Sequence, residues 1–157
     1  MGQTAVSSPL SAGGHRFALV VSRFNEDITS ALHRSACEAL REHDADDADV
    51  RTIWVPGVVE IPIVAQKLAE SGEVDAILAL GAVIRGDTPH FQFVAQMVAD
   101  GVMCVMLDTG VPVVFGVLTT DDLAQAQARI AGGAAGDKGR EAALTALEMI
   151  ATLGSLS

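Results

Sequence analysis

Apolar runs alternate with segments of helical periodicity along most of the chain. The runs have the length and the Val, Ile, Leu and Ala content of strands buried on both faces, as in a parallel sheet. They span residues 17–21, 50–55, 76–80, 102–107 and 113–118. The second run is interrupted by Arg51 and Thr52, so we expect it to lie at an edge of the sheet.

Apolar residues recur every three or four positions in the segments between these runs, which predicts helices. The predicted helices begin after Asn25, at Pro62, at Pro89, after Asp121 and at Arg140. Gly101 is expected to end the third of them. Alternating strands and helices with right-handed crossovers predict an α/β protein. The expected architecture is a three-layer α/β/α sandwich, flavodoxin-like, around a mostly parallel sheet of four to five strands.

The length and the ends of the chain predict a simple organisation. A chain of 157 residues is expected to form one domain. We assign residues 1–14, which are rich in Ser, Gly and Ala, to a flexible N-terminal tail, and residues 15–157 to a single domain. The first residues lack the charged and apolar regions of a signal peptide, so we expect a cytoplasmic protein.

The composition disfavours several classes of partner and site. The formal net charge is −10 at pH 7, which argues against nucleic acid and anionic membranes as partners. Cys37 and Cys104 fit no metal-binding or redox spacing, and we expect two reduced thiols in the core. The sequence contains no GxGxxG motif, no GxxxxGK[ST] motif and no metal-ligand cluster.

The segment from Gly81 to Phe93 carries the most candidate chemistry. Thr88 is predicted to cap a helix whose first residue is Pro89. Unpaired amide groups and the dipole at that helix start would bind an anion at residues 86–88, and a phosphate is the expected one. His90 follows in the first turn, where an imidazole can move protons near neutral pH. The simpler alternative is that Thr88 and Pro89 only start the helix and that His90 is an ordinary helix histidine.

Of four other positions of interest, two leave two interpretations open. Phe24 follows the first strand and either stacks on a planar ligand ring or covers the start of the next helix. Glu60 is a single charge among apolar neighbours after the second strand. It either caps the following helix or accepts hydrogen bonds from ligand hydroxyls. Arg129 and Lys138 flank a glycine-rich bend and, from the residues alone, are ordinary solvated charges.

Several motifs in this order are together specific to one family. They are Arg23-Phe24-Asn25, the segment from Val55 to Pro62, the segment from Gly81 to Phe91, the segment from Phe115 to Thr120, and Arg129 followed by Gly-Asp-Lys-Gly at residues 136–139. From about residue 17 to about residue 150, the chain resembles the 6,7-dimethyl-8-ribityllumazine synthase family.

The resemblance implies a transferase of riboflavin biosynthesis. The family condenses 5-amino-6-(D-ribitylamino)uracil with 3,4-dihydroxy-2-butanone 4-phosphate to 6,7-dimethyl-8-ribityllumazine, releasing phosphate and water, in the penultimate step of the pathway. No metal or organic cofactor takes part. The alternative is a non-catalytic flavin- or lumazine-binding protein, or a shell-forming protein, of the same fold.

The resemblance also implies roles for individual residues. His90 would transfer protons, Phe24 would stack on the pyrimidine, and Arg129 would hold the phosphate. The other implied binding residues are Val58, Val59 and Glu60 at the ribityl chain, Ala82, Val83 and Ile84 at the uracil edge, Asp87 and Thr88 at the phosphate, Lys138 near the pyrimidine, and Phe115.

The resemblance further implies a homo-oligomer with active sites between subunits, so that Phe115 and Arg129 would come from the neighbouring chain. The stretch between Arg129 and Lys138 is longer, by about one residue, than in family members that build icosahedral shells. Because this bend orients the last two helices, which lie where pentamers meet in such shells, we expect a pentamer or a decamer rather than a sixty-subunit shell.

Overall fold

The structure is a computed structural model that describes residues 9–157. Its four strands are β1 (Phe17–Ser22), β2 (Val50–Val55), β3 (Ala76–Ile84) and β4 (Val113–Thr120). Its five α-helices are α1 (Glu26–Glu42), α2 (Ile61–Glu70), α3 (His90–Thr109), α4 (Leu123–Gln127) and α5 (Lys138–Gly154). Single 3₁₀ turns lie at Asp47–Asp49 and Val58–Glu60.

The four strands form one parallel sheet in the order β2-β1-β3-β4. In the register of this sheet, Val20 of β1 lies beside Ile53 of β2 and Ala79 of β3. The predicted edge position of β2 is confirmed. Helices cover both faces of the sheet, so the predicted three-layer α/β/α, flavodoxin-like class is confirmed with four strands.

Two apolar layers, one on each face of the sheet, form the core. Because side chains alternate between the faces of a strand, Val20 and Ile77 pack toward α2 and α3, whereas Leu19 and Leu78 pack toward α1 and α5. Both layers are built mainly from Ala, Val, Leu and Ile. The sheet is therefore held rigidly, and its carboxyl edge can position the turns that follow the strands.

The predicted strand at 102–107 is wrong, because these residues belong to α3. The buried residues of α3 are Val98, Val102 and Val105, which have helical spacing. The predicted helix end at Gly101 is wrong as well. A Cβ at Gly101 would lie 2.5 Å from Cγ of Pro62, so this glycine allows α2 and α3 to approach closely. The helix ends instead at Gly110, whose φ of 72° is left-handed.

Two boundaries near the predicted anion loop also differ. β3 extends to Ile84 rather than ending at residue 80. The helix α3 begins at His90, with Pro89 in the cap position. The hydroxyl of Thr88 accepts a hydrogen bond from the amide of His90 at 3.4 Å. The predicted start was therefore one residue early, within the usual variation of helix ends.

The predicted tail, residues 1–14, lies partly outside the described residues. Of its remaining part, Ala12 is buried, and its amide donates a hydrogen bond to the carbonyl of His43 at 2.6 Å. The packed part of the chain therefore begins before residue 15.

The outward face of α3 is apolar. Phe93 is 66% exposed and Leu107 is 73% exposed, with Met97 and Met103 exposed between them. Cys104 is also exposed, so the expectation of two core thiols is wrong for it, whereas Cys37 is half-buried. By length and composition, α3 is the one helix among residues 9–157 that could cross a membrane. Core helices of soluble proteins meet the same length and composition criteria. An apolar surface of this kind is typical of a contact with another protein or with an apolar phase.

Candidate active site

A cleft of about 480 Å³ opens at the carboxyl ends of β1, β2 and β3. The chain goes from β1 to β2 on one side and later returns to β3 on the other, so the cleft lies at the switch point where parallel sheets bind ligands. The cleft is lined by Phe24, Pro56, Gly57, Val58, Val59, Glu60, Ala82, Val83, Ile84, Gly86, Thr88, His90, Phe91 and Val94.

The turn after β1 presents Phe24 to the cleft. The amide of Phe24 donates a hydrogen bond to the carbonyl of Pro56 at 3.2 Å, which ties this turn to the end of β2. The ring of Phe24 is 71% exposed, so it does not cover the start of α1. Phe24 therefore presents an open ring to the cleft.

Asn25 holds the same turn from the other side. Its φ of 62° is left-handed, a conformation that Asn tolerates better than most residues. Its Nδ2 donates a hydrogen bond to the carbonyl of Ala82 at 3.0 Å. The turn that carries Phe24 is therefore fixed to the end of β3 as well as to the end of β2.

The segment after β2 carries Glu60. Glu60 occupies the cap position of α2, yet its side chain makes no capping hydrogen bond, so the capping interpretation is wrong. Its Oε2 is buried and has no hydrogen-bond partner among the described residues. A buried carboxylate oxygen without a donor is costly, and hydroxyl groups of a ligand would satisfy it.

Val58, which lines the cleft, packs on Gly81 of β3. Val58 is buried, and a Cβ on Gly81 would collide with Cγ1 of Val58 and lie 3.0 Å from Oγ of Ser22. The hydroxyl of Ser22, buried below this contact, has no partner among the residues that the structure describes. Only glycine at position 81 allows the segment after β2 to come this close to β3.

The anion loop, residues 86–88, joins β3 to α3. Within residues 9–157, its amide groups have no protein acceptor, as expected ahead of a helix start. Gly86 and Thr88 line the cleft, whereas Asp87 is exposed and is not part of the lining. His90 is exposed and also lines the cleft. The structure therefore places amide donors, a hydroxyl and an imidazole around the same space.

A second cavity of about 670 Å³, which we call the β4 groove, runs along the free edge of β4 toward α5. Phe115 of β4 lines it and is 44% exposed. Arg129 and Lys138 line the same groove. They come together because the amide of Lys138 donates a hydrogen bond to the carbonyl of Arg129 at 2.9 Å, which closes the glycine-rich bend.

Both cations of the β4 groove have partners in their own chain. Nη1 of Arg129 donates a hydrogen bond to the carbonyl of Gln125 at 2.8 Å. Nζ of Lys138 lies 2.7 Å from Oε2 of Glu141. These contacts hold the two side chains in defined positions at the surface.

The residues singled out in the sequence therefore fall into two sets. Within the part of the chain that the structure describes, Phe115, Arg129 and Lys138 line the β4 groove and are absent from the lining of the cleft. Phe24, Glu60 and His90 line the cleft and are absent from the lining of the groove. One chain thus separates the imidazole from the arginine.

Sequence reasoning gave no role to two residues that shape the cleft, Asn25 and Gly81. An Asn directly before an apolar helix, after a strand, is a signal for a left-handed turn position. Gly81 lies inside an apolar run, where a glycine indicates close approach of another backbone segment.

Comparison with known proteins gives consistent matches. The family model described as 6,7-dimethyl-8-ribityllumazine synthase matches residues 14–154. Among curated proteins, the 6,7-dimethyl-8-ribityllumazine synthase of one Thermus thermophilus strain is 51% identical over 152 residues, which cover 97% of this chain and 96% of that protein. The protein of the same description from a second strain of that species matches with the same identity and coverage.

Proposed function

This chain belongs to the 6,7-dimethyl-8-ribityllumazine synthase family, and from that premise we propose that its cleft and β4 groove together form the active site. The protein is a transferase that condenses 5-amino-6-(D-ribitylamino)uracil with 3,4-dihydroxy-2-butanone 4-phosphate to 6,7-dimethyl-8-ribityllumazine, releasing phosphate and water. The observation that carries the site assignment is one cleft lined by an open aromatic ring, an unpaired buried carboxylate oxygen, a helix start and an imidazole.

We assign the ribitylaminouracil to the deeper part of the cleft. Phe24 stacks on the pyrimidine, and the backbone of residues 82–84 pairs with the uracil edge. Val58 and Val59 border the ribityl chain, and Glu60 accepts hydrogen bonds from its hydroxyls. The exposed ring of Phe24 and the unpaired Oε2 of Glu60 support this arrangement, since both become satisfied when the ligand binds.

We assign the phosphate of the second substrate to the anion loop. The free amide groups of residues 86–88 and the hydroxyl of Thr88 bind its oxygens. Asp87 contributes its backbone only, and its exposed position agrees with a side chain that turns away from a second negative charge. Arg129 of a neighbouring subunit completes the phosphate site through charge-assisted hydrogen bonds. Phe115 and Lys138 accompany it near the pyrimidine.

His90 is the proton-transfer residue of the proposal. The amine of one substrate attacks the carbonyl of the other and forms an imine with release of a first water. The imine then loses phosphate, and ring closure releases a second water. Each step moves protons between neighbouring heteroatoms and carbon, which a positioned imidazole can mediate. The chemistry consists of condensation and elimination, so the proposal includes no metal and no organic cofactor.

We further propose a homo-oligomer, a pentamer or a decamer, with the β4 groove of one subunit facing the cleft of the next. The apolar outward face of α3, with Phe93 and Leu107 exposed, supports contact with other subunits rather than with a membrane. Identical head-to-tail contacts between subunits produce such assemblies when they close into a ring.

A cytoplasmic location agrees with two free cysteines. The alternative of a non-catalytic binding protein has no observation in its favour, because His90 and Arg129 are both present.

The direct test is to mix the purified protein with the two substrates and to follow the lumazine absorbance. The expected result is an absorbance that rises in proportion to enzyme and requires both substrates. No rise in absorbance would contradict the proposed function.

Multi-angle light scattering of the same preparation tests the assembly. A mass near that of sixty chains would contradict the pentamer or decamer and would leave the activity in place.

A further inference from the structure

Arg85 lies between the two halves of the site and lines neither of them. It is the first residue after β3 and directly precedes the anion loop. Its amide donates a hydrogen bond to the carbonyl of Thr120 at 2.9 Å, and its Nε donates one to Oδ1 of Asp121 at 2.9 Å. Its guanidinium carbon also lies 4.9 Å from the ring centroid of Phe91, in the first turn of α3.

Asp121 begins a set of hydrogen bonds that reaches Arg129. The amide of Asp121 donates to Oε1 of Gln125 at 2.8 Å. The amide of Gln125 donates to Oδ1 of Asp122 at 2.8 Å, which caps α4. The carbonyl of Gln125 then accepts the hydrogen bond from Nη1 of Arg129 at 2.8 Å. The short helix α4 therefore contacts Arg85 through the turn at its start and holds Arg129 just beyond its end.

We propose that Arg85 is a positioning residue for phosphate recognition in two adjacent active sites. Through Phe91 and its own backbone it fixes the anion loop in the cleft of its own chain. Through Asp121 it fixes α4, and with α4 the Arg129 that its chain presents to the next cleft. The inference rests on the proposed function, because it assumes that the anion loop and Arg129 bind the phosphate of the second substrate.

A guanidinium suits this position because its planar fork bonds to a carboxylate while its face lies on an aromatic ring. An exposed ion pair contributes little to global stability, and the side chains of Arg85 and Asp121 are 48% and 64% exposed. The pair therefore adds little to the stability of the fold. It can still matter for catalysis through the positions of the loop and of α4, because small displacements of binding groups weaken catalysis strongly.

The test compares Arg85→Gln with wild type in steady-state kinetics for both substrates. We expect KM for the phosphorylated substrate, and the inhibition constant of inorganic phosphate, to rise roughly three- to tenfold. KM for the ribitylaminouracil should stay within about twofold, since the side chain of Arg85 contacts Asp121 and Phe91 and no group assigned to that substrate. Arg85→Lys, which keeps the charge, should recover part of the loss. Asp121→Asn should act in the same direction, and the double variant should be no worse than Arg85→Gln alone.

The matched control is Arg41→Gln, which removes another exposed Nε–Oδ1 ion pair, with Asp47 at 2.7 Å, at the far end of α1. Its kinetic constants should equal those of wild type. An unchanged KM for the phosphorylated substrate in Arg85→Gln, or an equal rise for both substrates, would overturn the inference. If wild-type protein makes no lumazine, the proposed function fails instead, so the two failures are distinguishable.

Discussion

The cleft and the β4 groove differ in how their polar groups are satisfied. In the cleft, Oε2 of Glu60 and the amides of residues 86–88 lack partners among the described residues. In the groove, Arg129 and Lys138 are already bonded within their own chain. The cleft therefore contains polar groups that are still unpaired, whereas both cations of the groove have partners in their own chain. Neither region alone combines an imidazole, an anion loop and an arginine.

The largest expected effect comes from removing the imidazole of the cleft. His90→Ala should lower kcat by about a hundredfold or somewhat less, the low end of general acid–base catalysis, because substrates held together react partly unaided. Both KM values should change little, as measured by steady-state kinetics. His15→Ala, at a histidine near Asp75, is the control and should keep wild-type kcat. An unchanged rate in His90→Ala would remove His90 from its assigned role.

Removing the arginine of the β4 groove should change binding of the phosphorylated substrate rather than turnover. Arg129→Ala should raise KM for the phosphorylated substrate roughly tenfold, from the loss of charged hydrogen bonds. KM for the ribitylaminouracil should be nearly constant. Arg34→Ala removes an exposed arginine of α1 and should leave both values unaltered. Equal KM values for Arg129→Ala and wild type would contradict the phosphate role of the groove.

The packing of Val58 on Gly81 beneath the cleft can be disturbed by a single methyl group. Gly81→Ala forces a Cβ into Val58 and toward Ser22, so we expect a loss of about 1–3 kcal/mol in the free energy of unfolding, measured in urea. Gly154→Ala adds a Cβ in open space and should be neutral or slightly stabilising. A Gly81→Ala protein as stable as Gly154→Ala would mean that Val58 moves aside at little cost in free energy. The close packing of Val58 on residue 81 would then not be required for stability.

The smallest effect concerns a group outside both regions and separates pH effects on the fold from those on the site. Burial, with help from Arg34 and Arg41, lowers the pKa of His33 below its usual 6.5. The unfolded chain therefore binds the proton more readily, so stability is full above about pH 6.5 and declines as pH falls toward the lowered folded pKa.

His33→Gln should flatten this decline in urea unfolding, compared at about pH 7.5 and about pH 5.5. The ring of Trp54, whose centroid lies 5.5 Å from that of His33, supplies the fluorescence signal. The pH dependence of kcat should be the same in both proteins. A decline of equal slope in the variant would show that another group is responsible.

The sequence predicted the cleft better than it predicted α3. Turn residues such as Phe24 and His90 follow buried strands, and a parallel sheet necessarily gathers such turns at one edge. In α3, residues 102–107 are apolar on the exposed side as well as the buried one, so the contrast that identifies an amphipathic helix is missing. A segment that is apolar on both sides has the same local pattern as a buried strand.

Two further features depend on tertiary structure. Glu60 stands at a helix start under either interpretation, and only the absence of a capping bond in the structure decides between them. Arg129 and Lys138 are separated in sequence, and they meet because the bend contains Gly132 and Gly136 at positive φ. Spacing alone does not predict how such a bend closes.

The central claim is that the cleft of one subunit works with the β4 groove of another, and subunit mixing tests it most directly. His90→Ala and Arg129→Ala proteins are unfolded together, refolded as mixed oligomers and assayed with the phosphorylated substrate well below its wild-type KM, where each variant alone has about a tenth of wild-type activity or less. If sites form between subunits, about a quarter of the interfaces pair an intact His90 with an intact Arg129, so about a quarter of wild-type activity should return. A mixture of wild type with the double variant should give the same fraction. No recovery in the first mixture, with about half of wild-type activity in the second, would show that both residues act within one chain and would contradict the account.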